Sequence, residues 1–158
     1  MTLTPHIPLT DIQQRAAGLH MPAPLAVADR VHHDELDALM HVNNVRYMVW
    51  FERLRIQFME RYTIGTIGDP SSPRIVIRSG EIRYHSEMLR GDNYITTCAC
   101  SAFRTTSMTL QQEIWSSGNL RASFSCIMVL LTADGSERSP IPERVKAQLI
   151  KDGATPPA

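Results

Sequence analysis

Between residues 44 and 62 the apolar residues fall at helical spacing. Tyr47, Phe51, Leu54, Phe58 and Tyr62 recur at i, i+4, i+7, i+11 and i+15, with Met48 and Met59 beside them. Val45, Val49 and Ile56 carry the apolar surface further round the cylinder, and only Arg46, Arg53, Gln57 and Glu60 form a plainly polar stripe. A helix that is apolar over most of its circumference has to be wrapped by other structure. Downstream the hydrophobic period changes from 3.6 to 2. Residues 74–78 with 81–85, then 94–103, 107–115 and 121–132, read as strands separated by turn signals at 90–93, 116–119 and Asp134-Gly135. The series 108, 110, 112, 114 is apolar except at Gln112 while its neighbours are mostly polar, so that strand has one wet face. Residues 121–132 are apolar on both faces at their end, which predicts a central strand. Residues 25–31 read as a first strand and 142–150 as a closing helix with Pro142 in its first turn. One class of fold satisfies the helix and the strands together: an α+β arrangement in which an antiparallel sheet of about five strands wraps around one long central helix.

The chain has 158 residues, enough to bury roughly 69% of its unfolded surface without disulfides or a structural metal. Its 16 basic residues balance 16 acidic ones, which argues against a strongly basic nucleic-acid binder. Only Lys146 and Lys151 of those basic residues are lysines, and arginine suits bidentate capture of phosphate or carboxylate. Cys98, Cys100 and Cys126 cannot all pair within one chain and lie in apolar stretches, as buried free thiols do. Residues 1–9 contain two prolines and no apolar core, so no signal peptide is expected. The longest apolar run, 126–131, is too short to span a bilayer. These features together predict a cytoplasmic protein with no membrane partner. Residues 1–24 are expected to form an N-terminal extension, in which Thr10 and Gln13 have capping-box spacing, Gly18 stops a short helix and 20–24 is a linker. The domain proper is expected over 25–151, with a tail over 152–158.

Polar chemistry concentrates in residues 31–44. That stretch of 14 residues holds the carboxylates Asp34, Glu35 and Asp37, the histidines His32, His33 and His41, and Asn43 and Asn44. Four readings compete. A metal site from His32, His33, Asp34, Asp37 and His41 lacks any HExxH or CxxC spacing. Alternatively, Asp37, Asn43 and Asn44 simply cap the helix and the histidines are solvated. A third possibility sets Asp37 opposite the unpaired N–H groups of the helix start, which would stabilise an oxyanion developing on a carbonyl placed between them. The fourth makes Asp37 and His41 the acid–base pair of a hydration or dehydration. Composition leaves all four open.

The run from Asp37 through His41-Val42-Asn43-Asn44 to Tyr47, followed by Trp50-Phe51-Glu52 and Arg55, resembles the signature of the hotdog-fold acyl-CoA thioesterases. The branch is the 4-hydroxybenzoyl-CoA thioesterase-like one, whose pattern is roughly D-x-x-G-H-V-N-N-x-x-Y followed by W/Y-F-E-x-x-R. The stretch from His41 to Tyr47 is also similar to the plant acyl-ACP thioesterases. The likeness continues through Gly91-Asp92, the 133–136 turn and Ile141-Pro142, and so covers about residues 25–150. What it implies is a hotdog hydrolase that cleaves acyl-CoA, or acyl-carrier-protein, thioesters without metal or cofactor. Asp37 would be the nucleophile or general base, with His41 beside it, and the backbone N–H near Asn44 would polarise the carbonyl. Substrate contacts would come from Asn43, Tyr47 and Phe51. Arg83 and Arg90 are candidates for the CoA phosphates, as are Arg104 and Arg121. The family assembles as dimers or dimers of dimers, with the active site and the CoA groove at the subunit interface.

Two departures stand out. Met40 occupies the usual glycine position; where that glycine supplies a positive φ, Met40 has to distort the loop or narrow the pocket. Leu39 stands where the plant enzymes carry an asparagine, so that version of the mechanism does not transfer. A hotdog enoyl-thioester hydratase is one alternative, although the D-x-N-P-x-H spacing of such enzymes differs from Asp37 and His41, four apart. A non-catalytic acyl-thioester binding protein is the other. On the helix, Glu52 and Arg55 have the spacing of a structural pair, and Arg55 falls inside the apolar arc, where it needs a partner.

Overall fold

In the computed structural model, which describes residues 4–65 and 68–157, the described chain forms three helices and five strands. They follow as α1 (Asp11–Ala16), β1 (Leu25–Arg30), α2 (Asn44–Arg61), β2 (Arg74–Tyr84), β3 (Asn93–Phe103), β4 (Ser107–Ser116), β5 (Asn119–Leu131) and α3 (Glu143–Lys151). A 3₁₀ turn, His33–Glu35, lies between β1 and α2. The strands make one antiparallel sheet in the order β1-β3-β4-β5-β2, wrapped around α2 in the hotdog arrangement. Short turns make β3, β4 and β5 sequential neighbours. The link from β4 to β5 is a two-residue loop with positive φ at both Ser117 (51°) and Gly118 (74°), the backbone that matches the twist of paired strands. Residues 74–84 run as one strand through Ser79-Gly80 rather than as two segments. Residues 121–132 fall within an interior strand as expected, but the middle of the sheet is β4.

Two compact units emerge from the contacts. The first comprises Met1–Arg55, Ile82–Cys98 and Gln112–Phe124. In it Phe51, with no exposed surface, stacks on Phe124 with ring centres 5.6 Å apart. Arg55 is 6% exposed, donates to Gln112 Oε1 at 2.9 Å and lies 5.5 Å from the Phe124 ring centre. Gln112 in turn donates to the Phe51 carbonyl at 2.8 Å. The polar break in the β4 series is thus an acceptor for the cation inside the apolar arc of α2. Such buried polar groups are tolerated where they satisfy one another.

The N-terminal segment belongs to the same unit and covers the edge of β1. His6 N–H donates to the Ala28 carbonyl and Leu9 N–H to that of Ala26, and Pro8 bridges to Val27. Leu9 and Leu19 then pack on Ala26, Ala28 and Ile95, with Ala17 and Trp115 against them. Thr10 and Gln13 form the reciprocal capping box of α1, and Gly18 follows the helix at φ 96°.

The second unit comprises Ile56–Glu81, Ala99–Gln111 and Ser125–Ala158. Phe58 packs on Tyr62, whose hydroxyl donates to Asp152 at 2.5 Å beyond α3. Val145 and Leu149 of α3 are buried, and Thr155 bridges to Ala102 of β3. All three cysteines are buried thiols outside any disulfide, and burial pushes that of Cys100 up to about 11.

Along α2 the buried positions are Tyr47, Trp50, Phe51, Leu54, Arg55 and Phe58, with Tyr62 just beyond its end, a narrower stripe than its composition predicts. Val45 and Ile56 are 61% and 43% exposed, so part of the apolar circumference has no cover within one chain. Among the described residues no helix is long and apolar enough to cross a membrane.

Candidate active site

Asp37 opens a tight turn. Its N–H donates to the His41 carbonyl at 2.8 Å, Met40 N–H returns to the Asp37 carbonyl at 3.0 Å, and Leu36 and Val42 bridge just outside. Closing the turn requires a left-handed residue at position 40, and Met40 supplies it with φ 62°. The Met40 side chain points to solvent at 58% exposure, so the loop keeps the backbone a glycine would give it, at the cost of a strained residue. One carboxyl oxygen of Asp37 accepts from the amides of Leu39 (2.8 Å) and His41 (3.4 Å). The side chain therefore caps its own turn, rather than α2.

Capping α2 falls to Asn43. Its Oδ1 accepts from Val45 N–H at 3.0 Å, and its carbonyl accepts from Arg46 N–H at 2.8 Å. The N–H of Asn44 is left with no acceptor among the described residues. An unpaired donor at the positive end of an 18-residue helix is where an oxyanion is stabilised.

His41 turns away from Asp37. Its Nε2 lies 3.0 Å from Glu87 Oε2, and its backbone bridges to Leu89 in the segment between β2 and β3. The same segment receives Arg121, whose Nη1 donates to Ser86 Oγ at 3.0 Å and to the Glu87 carbonyl at 3.4 Å. The Arg121 Nε is buried with no acceptor among the described residues. Tyr47 is 3% exposed and sits edge-on to Tyr84, whose hydroxyl donates to the Asn44 carbonyl at 3.2 Å. Burial first, and then Tyr84, push the Tyr47 phenol up to about 12, so at neutral pH it remains a protonated donor.

Asp37 and His41 thus share one turn, and Asn43, Asn44 and Tyr47 lie at the start of α2, which follows it. Phe51 lies in the core beneath them. Arg83 and Arg90 are exposed, one near the end of β2 and the other in the segment that follows it. The five residues of the metal reading are dispersed, with His32 turned to Asp29 at 3.9 Å and His41 to Glu87. Among the described residues no group of three or more His, Cys, Asp or Glu is placed to hold a metal ion. Two acidic side chains with partners here had no role in the sequence reading. Glu87 is far from His41 along the chain and carries no local signal. Glu35 stood in the polar cluster, but its partner Trp50 is on the helix.

Asp37, His41 and Asn44 line neither of two sizeable cavities. One of about 690 Å³ lies beneath the N-terminal segment, between Ala28, Ile95 and Trp115. The other, of about 600 Å³, is bounded by Thr63, Pro73 and Arg144. Around Asp37 the surface is an open rim with exposed apolar side chains, Leu39 (72%), Val45 and Leu89 (46%).

Comparison with known proteins points one way. The profile of the thioesterase-like superfamily matches residues 31–149. The crystal structure of a thioesterase-superfamily protein from Jannaschia sp. CCS1 is 37% identical, superposes with a TM-score of 0.91, and aligns over 98% of this chain and 99% of its own. A predicted thioesterase from Bacillus stearothermophilus shares 24% identity at a TM-score of 0.73, over 84% of this chain and 98% of its own. A thioesterase from Thermus thermophilus, solved with coenzyme A and Zn, shares 23% at 0.71, over 81% and 98%. No protein of curated function matches the sequence.

Proposed function

The chain belongs to the thioesterase-like superfamily and is a thioester hydrolase, and we propose that it cleaves acyl-CoA thioesters to the free acid and CoA with Asp37 as the reacting carboxylate. The observation that carries this is the Asn44 N–H, left without an acceptor where the Asp37 turn meets the start of α2. A thioester carbonyl oxygen bonded to that N–H presents its carbon to Asp37. As a nucleophile, the Asp37 carboxylate adds to the carbon, the C–S bond breaks, the thiolate leaves, and water then hydrolyses the mixed anhydride. As a general base, it takes a proton from the water that attacks. In either route charge builds on the carbonyl oxygen, and the helix end stabilises it.

His41, its ring held by Glu87, anchors the turn that carries Asp37, and the protonated Tyr47 lies on the first turn of α2. Asn43 fixes the helix start, and Phe51 supports it from the core. Arg83 and Arg90 are exposed cations on the same unit, suited to the phosphates of CoA or of a carrier protein's phosphopantetheine. Coenzyme A in the Thermus thermophilus protein is in keeping with this. The chain acts in the cytoplasm as a homodimer or homotetramer. The open rim around Asp37 and the uncovered β2 edge fit a second copy that closes the site.

Thiol release over a panel of short, long and aromatic acyl-CoAs tests the assignment. Asp37→Ala should abolish release while circular dichroism and sedimentation stay unchanged. Near-wild-type turnover in that variant would rule Asp37 out. Crotonyl-CoA separates hydrolysis from hydration, because only hydrolysis frees a thiol.

A further inference from the structure

Glu35 sits two residues before Asp37, and nothing in the chemistry above uses it. Acidic side chains are seldom buried unless a partner repays their desolvation, yet Glu35 is 6% exposed. Among the described residues no Lys, Arg or His forms an ion pair with it. Backbone and indole N–H groups hold it instead. Trp50 Nε1 donates to Oε1 at 2.8 Å, His32 N–H donates to Oε2 at 2.8 Å, and Asn43 N–H donates to the Glu35 carbonyl at 2.9 Å.

These bonds bracket the reacting turn. His32 and Glu35 stand before it, Asn43 stands after it, and Trp50 is fixed on α2. The anchor is rigid, since Trp50 is 3% exposed and stacks on Tyr94 at 4.3 Å with the rings 24° apart. Between the brackets the turn closes on itself through the Asp37, Leu39 and Met40 amides and contains the strained Met40. Those bonds set the shape of the turn, whereas its position relative to the Asn44 N–H is set by what holds it from outside, the Glu35 bonds together with the contacts of Val42 and His41 to Met88 and Leu89. An attacking carboxylate displaced by about 1 Å can lose roughly 100-fold in rate.

We propose that Glu35 is a positioning residue that ties the Asp37–His41 turn to α2 and so holds the Asp37 carboxyl in register with the Asn44 N–H. The proposal rests on the assignment of Asp37 made above.

Three variants test it. Glu35→Gln keeps the shape but offers an oxygen to only one of the two donors. Trp50→Phe keeps the ring and removes the other donor. Glu35→Ala removes both acceptors, and should it fold poorly the first two carry the test. Well below each melting temperature, kcat for thiol release should fall roughly 10-fold in Glu35→Gln and Trp50→Phe and about 100-fold in Glu35→Ala, with KM held within about two-fold. Amide hydrogen exchange should accelerate at Asp37 and Asn43 but not at Leu149 of α3, whereas general destabilisation would accelerate all three. Wild-type kcat in the Glu35 variants alongside a dead Asp37→Ala overturns the positioning role and leaves the proposed function intact. Full turnover in Asp37→Ala removes the assignment of Asp37, and the positioning role with it.

Discussion

Met40 shows how a single residue can break a family pattern and still keep its geometry. Glycine is the usual occupant of its position because the turn needs a left-handed backbone there. Methionine adopts φ 62° and directs its side chain to solvent, so the left-handed turn forms with a strained residue in it. The left-handed conformation costs an ordinary residue roughly 1–2 kcal/mol, partly offset because glycine loses about 0.5–1 kcal/mol more in backbone entropy on folding. Met40→Gly should therefore stabilise the protein by up to about 1 kcal/mol, read as a higher urea midpoint with an unchanged slope. Asp37 also illustrates what sequence alone leaves open. Its proximity to a helix start suggested either a helix cap or a reacting group. In the fold it caps its own turn, and of the three residues expected to cap the helix Asn43 is the one that does so.

At the scale of elements, the long helix and the five strands were legible because each writes its period into side-chain chemistry. Two apparent flaws in those patterns were also informative. Arg55 in the apolar arc of α2 and Gln112 in the apolar series of β4 are one feature, a donor and an acceptor that bury together. Periodicity marks each as an exception and cannot match them, because the pairing depends on packing between distant segments. The same limit hid the place of the N-terminal segment. Its capping box could be read locally, but Leu9 and Leu19 do not announce that they lie on Ala26, Ala28 and Ile95. Leu19, 4% exposed, is a core residue of that layer. Leu19→Ala should cost about 2–5 kcal/mol, measured by urea denaturation. A loss below about 0.5 kcal/mol would show that the segment is only loosely attached.

For the molecule as a whole, the edges of the sheet are treated unequally. β1 is covered by its own N-terminal segment, whereas no residue of the 11-residue β2 is buried, and Val76, Ile77 and Tyr84 are each more than 40% exposed. A long exposed edge with apolar residues among its charges can pair with another chain, and lysine placed in it is an effective block. In sedimentation the protein should run at two chains or a multiple of two. Ile77→Lys should shift it toward one chain and, on the proposed closure of the site by a second copy, lower thiol release in parallel. If the variant is fully monomeric yet turns over at the wild-type rate, a second copy has no part in the site. The unequal edges also bear on solubility. A sheet with two open edges can recruit chains indefinitely, as fibrils do. With one edge sealed by residues 6–9, pairing through β2 uses up the template on both partners, so growth of the sheet terminates at two. The N-terminal segment would on this view act as a stop against filament formation, whatever it contributes to stability.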